Sequence, residues 1–377
     1  MRNRIIQLIL ILNAALLVAC GSTNQKGKNS PAISDGKASA GTVKLYLKLQ
    51  HELDKGIMLG HQDDLAYGYK WFQERGRSDV KSVCGDYPAV FGWDIGNIEH
   101  GSRLNGDSIA FATLIDYVRE VNRQGGISLF TWRASNPVTG GDASDCSRHD
   151  AVKLIVENDS VRNEFLASLD KVADFFASLK DEAGEPIPVI FQPFHAHNDD
   201  QPLWWNSQLC EADDYKQLWA LTVNYLRDQK QVHNLLYAYS VHTTGPPACL
   251  PAYYPGNKFV DIIGVSSLLL QTEEYDGQKF IQELNRNLAV ITQFARKNRK
   301  IPAITCTGME GIKISNFFSQ YLYPVISQYK LSFVLFGENA WNKERHYFIP
   351  VPGHPASDDF TRFAAYPNIL TCSDIKD

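Results

Sequence analysis

The chain lacks the basic stripe that a nucleic-acid partner requires: 37 Lys and Arg stand against 42 Asp and Glu, for a formal net charge of −5. Neutralising a phosphate backbone needs clustered positive charge, so nucleic-acid partners are excluded. No segment repeats at a period of about 20–50 residues, which excludes solenoids and propellers. Beyond the first residues, no apolar run reaches the roughly 20 residues of a membrane-spanning helix. No glycine-rich phosphate loop follows the first β-type run, against a dinucleotide fold. No His-Glu-x-x-His spacing marks a metal centre, and neither a cofactor nor a resident metal is expected.

The two ends of the problem are then the N-terminus and the remaining bulk. Arg2 and Arg4 precede an apolar run from Ile5 to Ala19, about fifteen residues, too short to span a bilayer stably. It ends Leu17-Val18-Ala19-Cys20-Gly21, the small-residue pattern of a bacterial lipoprotein cleavage site. Residues 1–19 therefore read as a signal peptide. Cys20 reads as the acylated first residue of an exported lipoprotein, anchored at the periplasmic face or the cell surface. A plain cleaved signal with a chance Cys is the alternative. Two or three acyl chains on one residue hold durably, where one would not. Residues 20–41, rich in Ser, Asn, Lys, Gly and Ala, read as a flexible tether. Residues 42–377 read as one globular domain. Six cysteines besides Cys20 lie in a compartment where disulfides form, with Cys210 and Cys249 the expected pair.

Eight short apolar runs punctuate that domain: 56–62, 89–95, 126–133, 186–195, 235–241, 260–269, 301–307 and 331–339. Amphipathic stretches separate them, among them 107–123, 161–179, 214–229, 277–296 and 312–328. Near-continuous Val, Ile, Leu and Phe strands alternating with helices indicate an α/β protein with a parallel sheet covered on both faces. Eight such units fit a (β/α)₈ TIM barrel, with an open doubly wound sheet as the alternative. Barrel chemistry sits where strands end and loops begin. Those ends are His61, Asp63, Asp64, Asp94, Trp132, Arg133, Asn136, His195, His197, His242, Ser266, Cys306 and Glu338, with Trp204 and Trp205 in the loop after the fourth strand. Clustered Trp and Tyr beside polar groups suit a sugar, whose ring faces stack while its hydroxyls hydrogen-bond; packing is the other reading of the same rings.

In order and spacing, several fragments resemble glycoside hydrolase family 26, chiefly its endo-β-1,4-mannanases. They are Gly60-His61-Gln62-Asp63-Asp64, Gly92-Trp93-Asp94-Ile95-Gly96, Asn136-Pro137-Val138-Thr139-Gly140-Gly141, Pro193-Phe194-His195, Tyr237-Ala238-Tyr239-Ser240, Asn339-Ala340-Trp341 and Pro352-Gly353-His354-Pro355. The resemblance implies a retaining mechanism with two glutamates about 5–5.5 Å apart, one acid/base and one nucleophile. It also implies where they stand: after the His ending the fourth strand, and at the end of the seventh. Those positions hold Ala196 and Cys306. Other departures fall at the same mouth, where Arg133, Gln192, His242, Ser266, Leu268 and Gly337-Glu338 replace residues of the family pattern.

The resemblance thus predicts a barrel with its punctuation kept and its mouth rewritten, lacking retaining hydrolysis, with weak recognition of a β-mannan-type chain through Trp132, Asn136, His195, Trp204, Trp205 and Tyr239. The competing expectation is an active endo-β-1,4-mannanase using substitute carboxylates among Asp199, Asp200, Glu310 and Glu338. Two further chemistries stay open. His195, His197, His242 and Cys306 could hold zinc, since residues two apart on a strand share a side. Cys306 paired with a histidine could attack an acyl group.

Overall fold

The computed structural model describes residues 32–200, 202–244, 249–270 and 276–376. Residues 1–19, expected to form a signal peptide, and Cys20 lie outside the described residues. Eight strands form the barrel: β1 Ile57–Gln62, β2 Val90–Asp94, β3 Ile127–Trp132, β4 Val189–Pro193, β5 Leu235–His242, β6 Ile262–Leu269, β7 Ile301–Met309 and β8 Phe333–Phe336. Each pairs in parallel with its sequence neighbours, and β8 closes on β1 in the register Met58↔Phe333 to His61↔Phe336. The sheet is a closed (β/α)₈ TIM barrel, as the alternation of apolar runs predicts, and the open-sheet alternative is set aside.

Side chains alternate across a strand, and the inward positions change character along the barrel axis. Met58, Val90, Leu129, Ile190, Leu236 and Ile262 build an apolar plug. One step toward the C-terminal ends, Gln62, Asp94, Thr131, Gln192, Ser240, Ser266 and Thr305 take over. Gln192 Nε2 donates to Ser240 Oγ at 2.5 Å and to Thr305 Oγ1 at 3.2 Å, and Thr131 Oγ1 donates to Asp94 Oδ2 at 2.9 Å. Glycine makes room for this polar layer: a Cβ on Gly92 would sit 2.0 Å from Gln62 Oε1, and one on Gly264 2.5 Å from Thr305 Cγ2.

Helices cover the outside. Ala40–Lys55 precedes β1, and Asp79–Cys84, Phe111–Gln124, Ala151–Glu157, Asp159–Ser178, Ala212–Asn224, Gly277–Asn298 and Ser357–Ala364 lie between or after strands. The single helix expected over 312–328 is instead a wide turn, Phe317–Leu322, running into Tyr323–Ile326. The Asp359 carboxylate accepts from the Phe318 and Ser319 amides at 2.9 and 3.1 Å, and Pro324 offers no amide, so helical pairing is interrupted.

Two expectations are corrected here. The tether expected over 20–41 is corrected from residue 32 on, because residues 32–39 are docked on the barrel. Ser34 donates to both oxygens of the buried Asp261 at 2.6 and 2.8 Å, Asp35 pairs with His233 at 2.7 Å, and Ser39 caps Ala40–Lys55. Small polar residues read as tether because they bury little apolar area; here they satisfy a buried carboxylate and a helix end instead. Second, all six described cysteines are free thiols, Cys210 and Cys249 included. Cys210 Sγ lies 3.5 Å from the Trp205 carbonyl and 3.4 Å from that of Asn206.

Candidate functional site

The C-terminal face opens into a cleft of about 600 Å³, walled in part by Asn97, Ser135, Asp142, Ala196, Asp199 and His242. It shares Asp94, Asp107, Arg133, His195, Ser266 and Cys306 with a narrower cavity of about 90 Å³ that reaches the polar layer at Gln62, Thr131, Gln192 and Thr305. A register shift between β6 and β7 builds one wall. Val265 faces Ile304 but Ser266 faces Cys306, so Thr305 is the extra residue. Bulges of this kind re-aim side chains beside active sites: Thr305 reaches Gln192 while Cys306 borders the cleft.

Ala196 and Cys306 therefore border the same cleft. The turn after β4 that carries Ala196 has two non-glycine residues in the left-handed region, Phe194 at φ 50° and Ala196 at φ 53°. Burial and the nearby Glu338 push the Cys306 thiol up to about 12. Burial, then the Arg133 charge, bring His195 down to about 3, so its ring is neutral.

Charged groups face this space from several elements. Asp94 accepts from the Gly96 amide at 2.6 Å and the Arg133 amide at 3.2 Å, yet burial raises it. Burial, with Asp94 and Glu338, raises Asp107 to about 7. Burial, with Asp107 and Glu338, holds Asp63 well above the carboxylate range. Glu338 goes the other way. Burial opposes its charge, but His346 and Arg133 draw it down to about 2. His346 is bound on both sides, Nε2 at 3.0 Å from Glu338 Oε1 and Nδ1 at 2.6 Å from Glu310 Oε1, which raises it. Burial works against the Arg133 charge, and Asp94, Glu338 and Asp107 hold it above its usual value all the same.

Of the six residues the sequence nominates for sugar contact, only His195 faces the cleft. Trp132, Trp204, Trp205 and Tyr239 are fully buried and Asn136 is too. Their polar atoms have protein partners: Trp132 Nε1 donates to Glu99 at 3.1 Å, Trp204 Nε1 to the Ala134 carbonyl at 2.8 Å, Trp205 Nε1 to the His195 carbonyl at 2.8 Å, and the Tyr239 hydroxyl to the Leu250 carbonyl at 3.1 Å. Asn136 Nδ2 donates to the Asp145 carbonyl at 2.9 Å and orders its own loop. The rings pack about Phe194, whose centroid lies 6.1 Å from Trp204, 5.7 Å from Trp205 and 6.5 Å from Trp132. Among the described residues no Trp or Tyr lines the cleft.

The histidines part company as well. Strand β4 ends at Pro193, so 195 and 197 lie on a turn, not on one strand face. His195 borders the cleft; His197 is buried between Tyr215 at 4.8 Å and Tyr253 at 5.2 Å. His61 is committed to Asp64 at 2.6 Å, both fully buried. Among the described residues no three His, Cys, Asp or Glu converge in a metal-holding group. Sequence reading missed Asp107 and His346. Asp107 is thirteen residues past the end of β2 and reads as a helix start; His346 sits in a loop where nothing but its neighbours marks it.

Comparisons with known proteins agree with this architecture. The sequence model of glycosyl hydrolase family 26 matches residues 34–327. A mannan endo-1,4-β-mannosidase of Bifidobacterium adolescentis is 32% identical over 289 residues, 75% of this chain and 28% of that protein. One of Bacillus subtilis is 25% identical over 241 residues, 59% of this chain and 62% of that protein. The aligned region thus spans under two thirds of the length of either curated relative. Among solved structures, a GH26 β-mannanase from Bacteroides ovatus superposes with a TM-score of 0.85 at 39% identity, covering 89% of this chain and 96% of that one. A modular endo-β-1,4-mannanase from Cellulomonas fimi gives 0.80 at 29%, covering 92% and 79%. With its family model matched from residue 34 to 327 and its barrel closed in the same way, the chain belongs to glycosyl hydrolase family 26.

Proposed function

We propose that this chain is a non-hydrolytic member of the family that holds a β-mannan-type polysaccharide or oligosaccharide in its cleft. One observation carries the reading. A methyl group at Ala196 and a neutral thiol at Cys306 border the cleft, at the two positions that the sequence resemblance assigns to the acid/base and the nucleophile. A positioned acid contributes about 10²–10⁴-fold, and Ala196 has nothing that titrates. With the thiol near 12, only about one molecule in 10⁵ carries a thiolate at pH 7. A thiolate without an acid would still leave the departing alkoxide unprotonated. The mannosidase relatives supply the substrate class. Recognition is weak under this reading, because among the described residues no indole or phenol lines the cleft to stack on a sugar. His195, Arg133 and Asp107 make the contacts, with Trp132, Asn136, Trp204, Trp205 and Tyr239 one layer behind as the frame.

A specific observation favours a second reading. Asp107 and Glu338 border one cavity and are pushed in opposite directions, to about 7 and about 2. Such divergence marks acid and base pairs in glycosidases, and an inverting mechanism tolerates about 6.5–9.5 Å between them. Reducing-sugar release from galactomannan and glucomannan separates the two. The first reading expects none above background. Turnover at ordinary rates, abolished by Glu338→Gln or Asp107→Asn, would replace it with the second.

Export and anchoring complete the proposal. Their support is the run from Leu17 to Gly21, and Cys20→Ala is expected to shift the protein from the membrane fraction to the soluble one. A Cys20→Ala protein still wholly in the membrane fraction would count against the anchor.

A further inference from the structure

We propose that the inner cavity takes a primary ammonium group, presented by a hexosamine unit of a bound oligosaccharide. The inference rests on the non-hydrolytic binding reading and goes beyond its substrate class, since a β-mannan carries no amino group. Its first ground is charge. Four carboxyl groups, Asp63, Asp94, Asp107 and Glu338, line a space of about 90 Å³ whose one lining guanidinium is Arg133. Arg133 interacts with Asp94, Glu338 and Asp107 together, and His346 is held between Glu338 and Glu310. Glu338 thus has two cations, whereas Asp63 has none among its strongest influences and takes its hydrogen bond from the Tyr67 hydroxyl at 3.0 Å.

The second ground is independent of charge. Gln192 Oε1 is buried and accepts no hydrogen bond from the protein, with its residue only 2% exposed. Buried polar atoms are almost always satisfied. Gln192 Oε1 can only accept, because its Nε2 already donates to Ser240 and Thr305. A sugar hydroxyl brings one donor together with lone pairs of its own, whereas an ammonium brings three donors and no acceptor. It also supplies the positive charge that lets Asp107 ionise in place.

Binding should then expel a proton. Asp107 faces Asp94, Glu338, Asp63, Arg133 and Lys343, and with no added cation its carboxyl keeps its proton up to about pH 7. An ammonium exchanges for that proton, so affinity falls about tenfold for each pH unit below 7.

Calorimetry on the full chain tests this with glucosamine tetrasaccharide, its N-acetylated counterpart and mannotetraose, each at pH 5.5 and 7. The amine form is expected to bind at least tenfold more tightly than the N-acetylated form at pH 7, to weaken at least tenfold at pH 5.5, and to release about one proton on binding. Asp107→Asn is expected to remove the pH dependence. Glu338→Gln removes one of the charges that raise Asp107 and is expected to move the pH dependence to lower pH without abolishing it; melting curves of both confirm folding. Equal affinity for the amine and N-acetyl forms, or pH dependence unchanged in Asp107→Asn, overturns the inference. If mannotetraose binds and the amine form does not, the ammonium site falls while the mannan-binding reading stands. If no sugar gives heat at millimolar concentration, both fall.

Discussion

At the scale of single residues, Cys306 shows how environment decides what a side chain can do. A thiol at a strand end invites a nucleophilic reading, and the sequence alone leaves that open. The structure sets it against Glu338 and Asp199 in a buried wall, where a thiolate would add a third negative charge. Its proton is therefore retained, and alkylation with iodoacetamide at pH 8 is expected to be about 10³-fold slower than for an ordinary exposed thiol. Peptide mapping over a time course measures this; modification of Cys306 within the half-life of free cysteine would contradict it. The same surroundings bear on repair. Glutamates placed at 196 and 306 together are expected to leave mannanase activity near background. A Glu at 306 would face Glu338, and Gln192 in the same cavity brings no charge to offset the pair. Robust reducing-sugar release from the double variant would show that these two positions alone limit hydrolysis.

Elements explain what was legible in the sequence and what was not. All eight strands are visible as apolar runs because both faces of a parallel barrel strand are buried, so the signal is continuous. Their ends are visible too, which is why Asp94, Arg133, His195, Ser266, Cys306 and Glu338 are found at the mouth. Direction past the last paired residue is not. The turn after β4 passes through two left-handed residues, and this sends Phe194 into the packing of Trp132, Trp204, Trp205, Tyr215 and Trp219 rather than toward solvent. A Trp beside polar loop residues has the same local sequence whether it faces a ligand or a core, so the aromatic platform expected from the sequence turned out to be a foundation. Phe194→Ala is expected to cost about 3–5 kcal/mol of stability, the range for a buried aromatic. Urea unfolding measures it. A loss below about 1 kcal/mol would mean that the turn holds its shape without this ring.

For the whole molecule, titration ties the buried groups into one stability profile. Asp107 and Asp63 are raised in the folded state, so each contributes stability that is fully present below the unfolded value near 4. That contribution is lost as pH climbs through the folded value, about 7 for Asp107. His195 and His197 act oppositely. Burial holds both near 3, so their contribution is present above about 6.5 and is lost as pH falls toward 3. Between about pH 4.5 and 6.5 the unfolded chain holds the two histidine protons while the folded chain holds those of Asp63 and Asp107, and the slopes largely cancel. Above 6.5 the unfolded histidines are neutral and the carboxyls dominate, joined by His346, whose raised value also favours the protonated folded form. Stability is therefore expected to be flat across the middle window and to decline from about pH 6.5 upward, with Asp107's share complete once pH has passed about 7. Asp107 spans roughly three units between its unfolded and folded values, and solvent screening of a partly exposed group reduces that to a contribution on the order of 2 kcal/mol. Asp107→Asn should accordingly be more stable than the parent by about that amount at pH 8.5, and by little at pH 4. Chemical unfolding of both proteins at these two values decides it. A parent protein still gaining stability between pH 6.5 and 8.5, or an Asn variant with the parent's full alkaline loss, would show that the mouth does not hold its protons as the buried geometry requires.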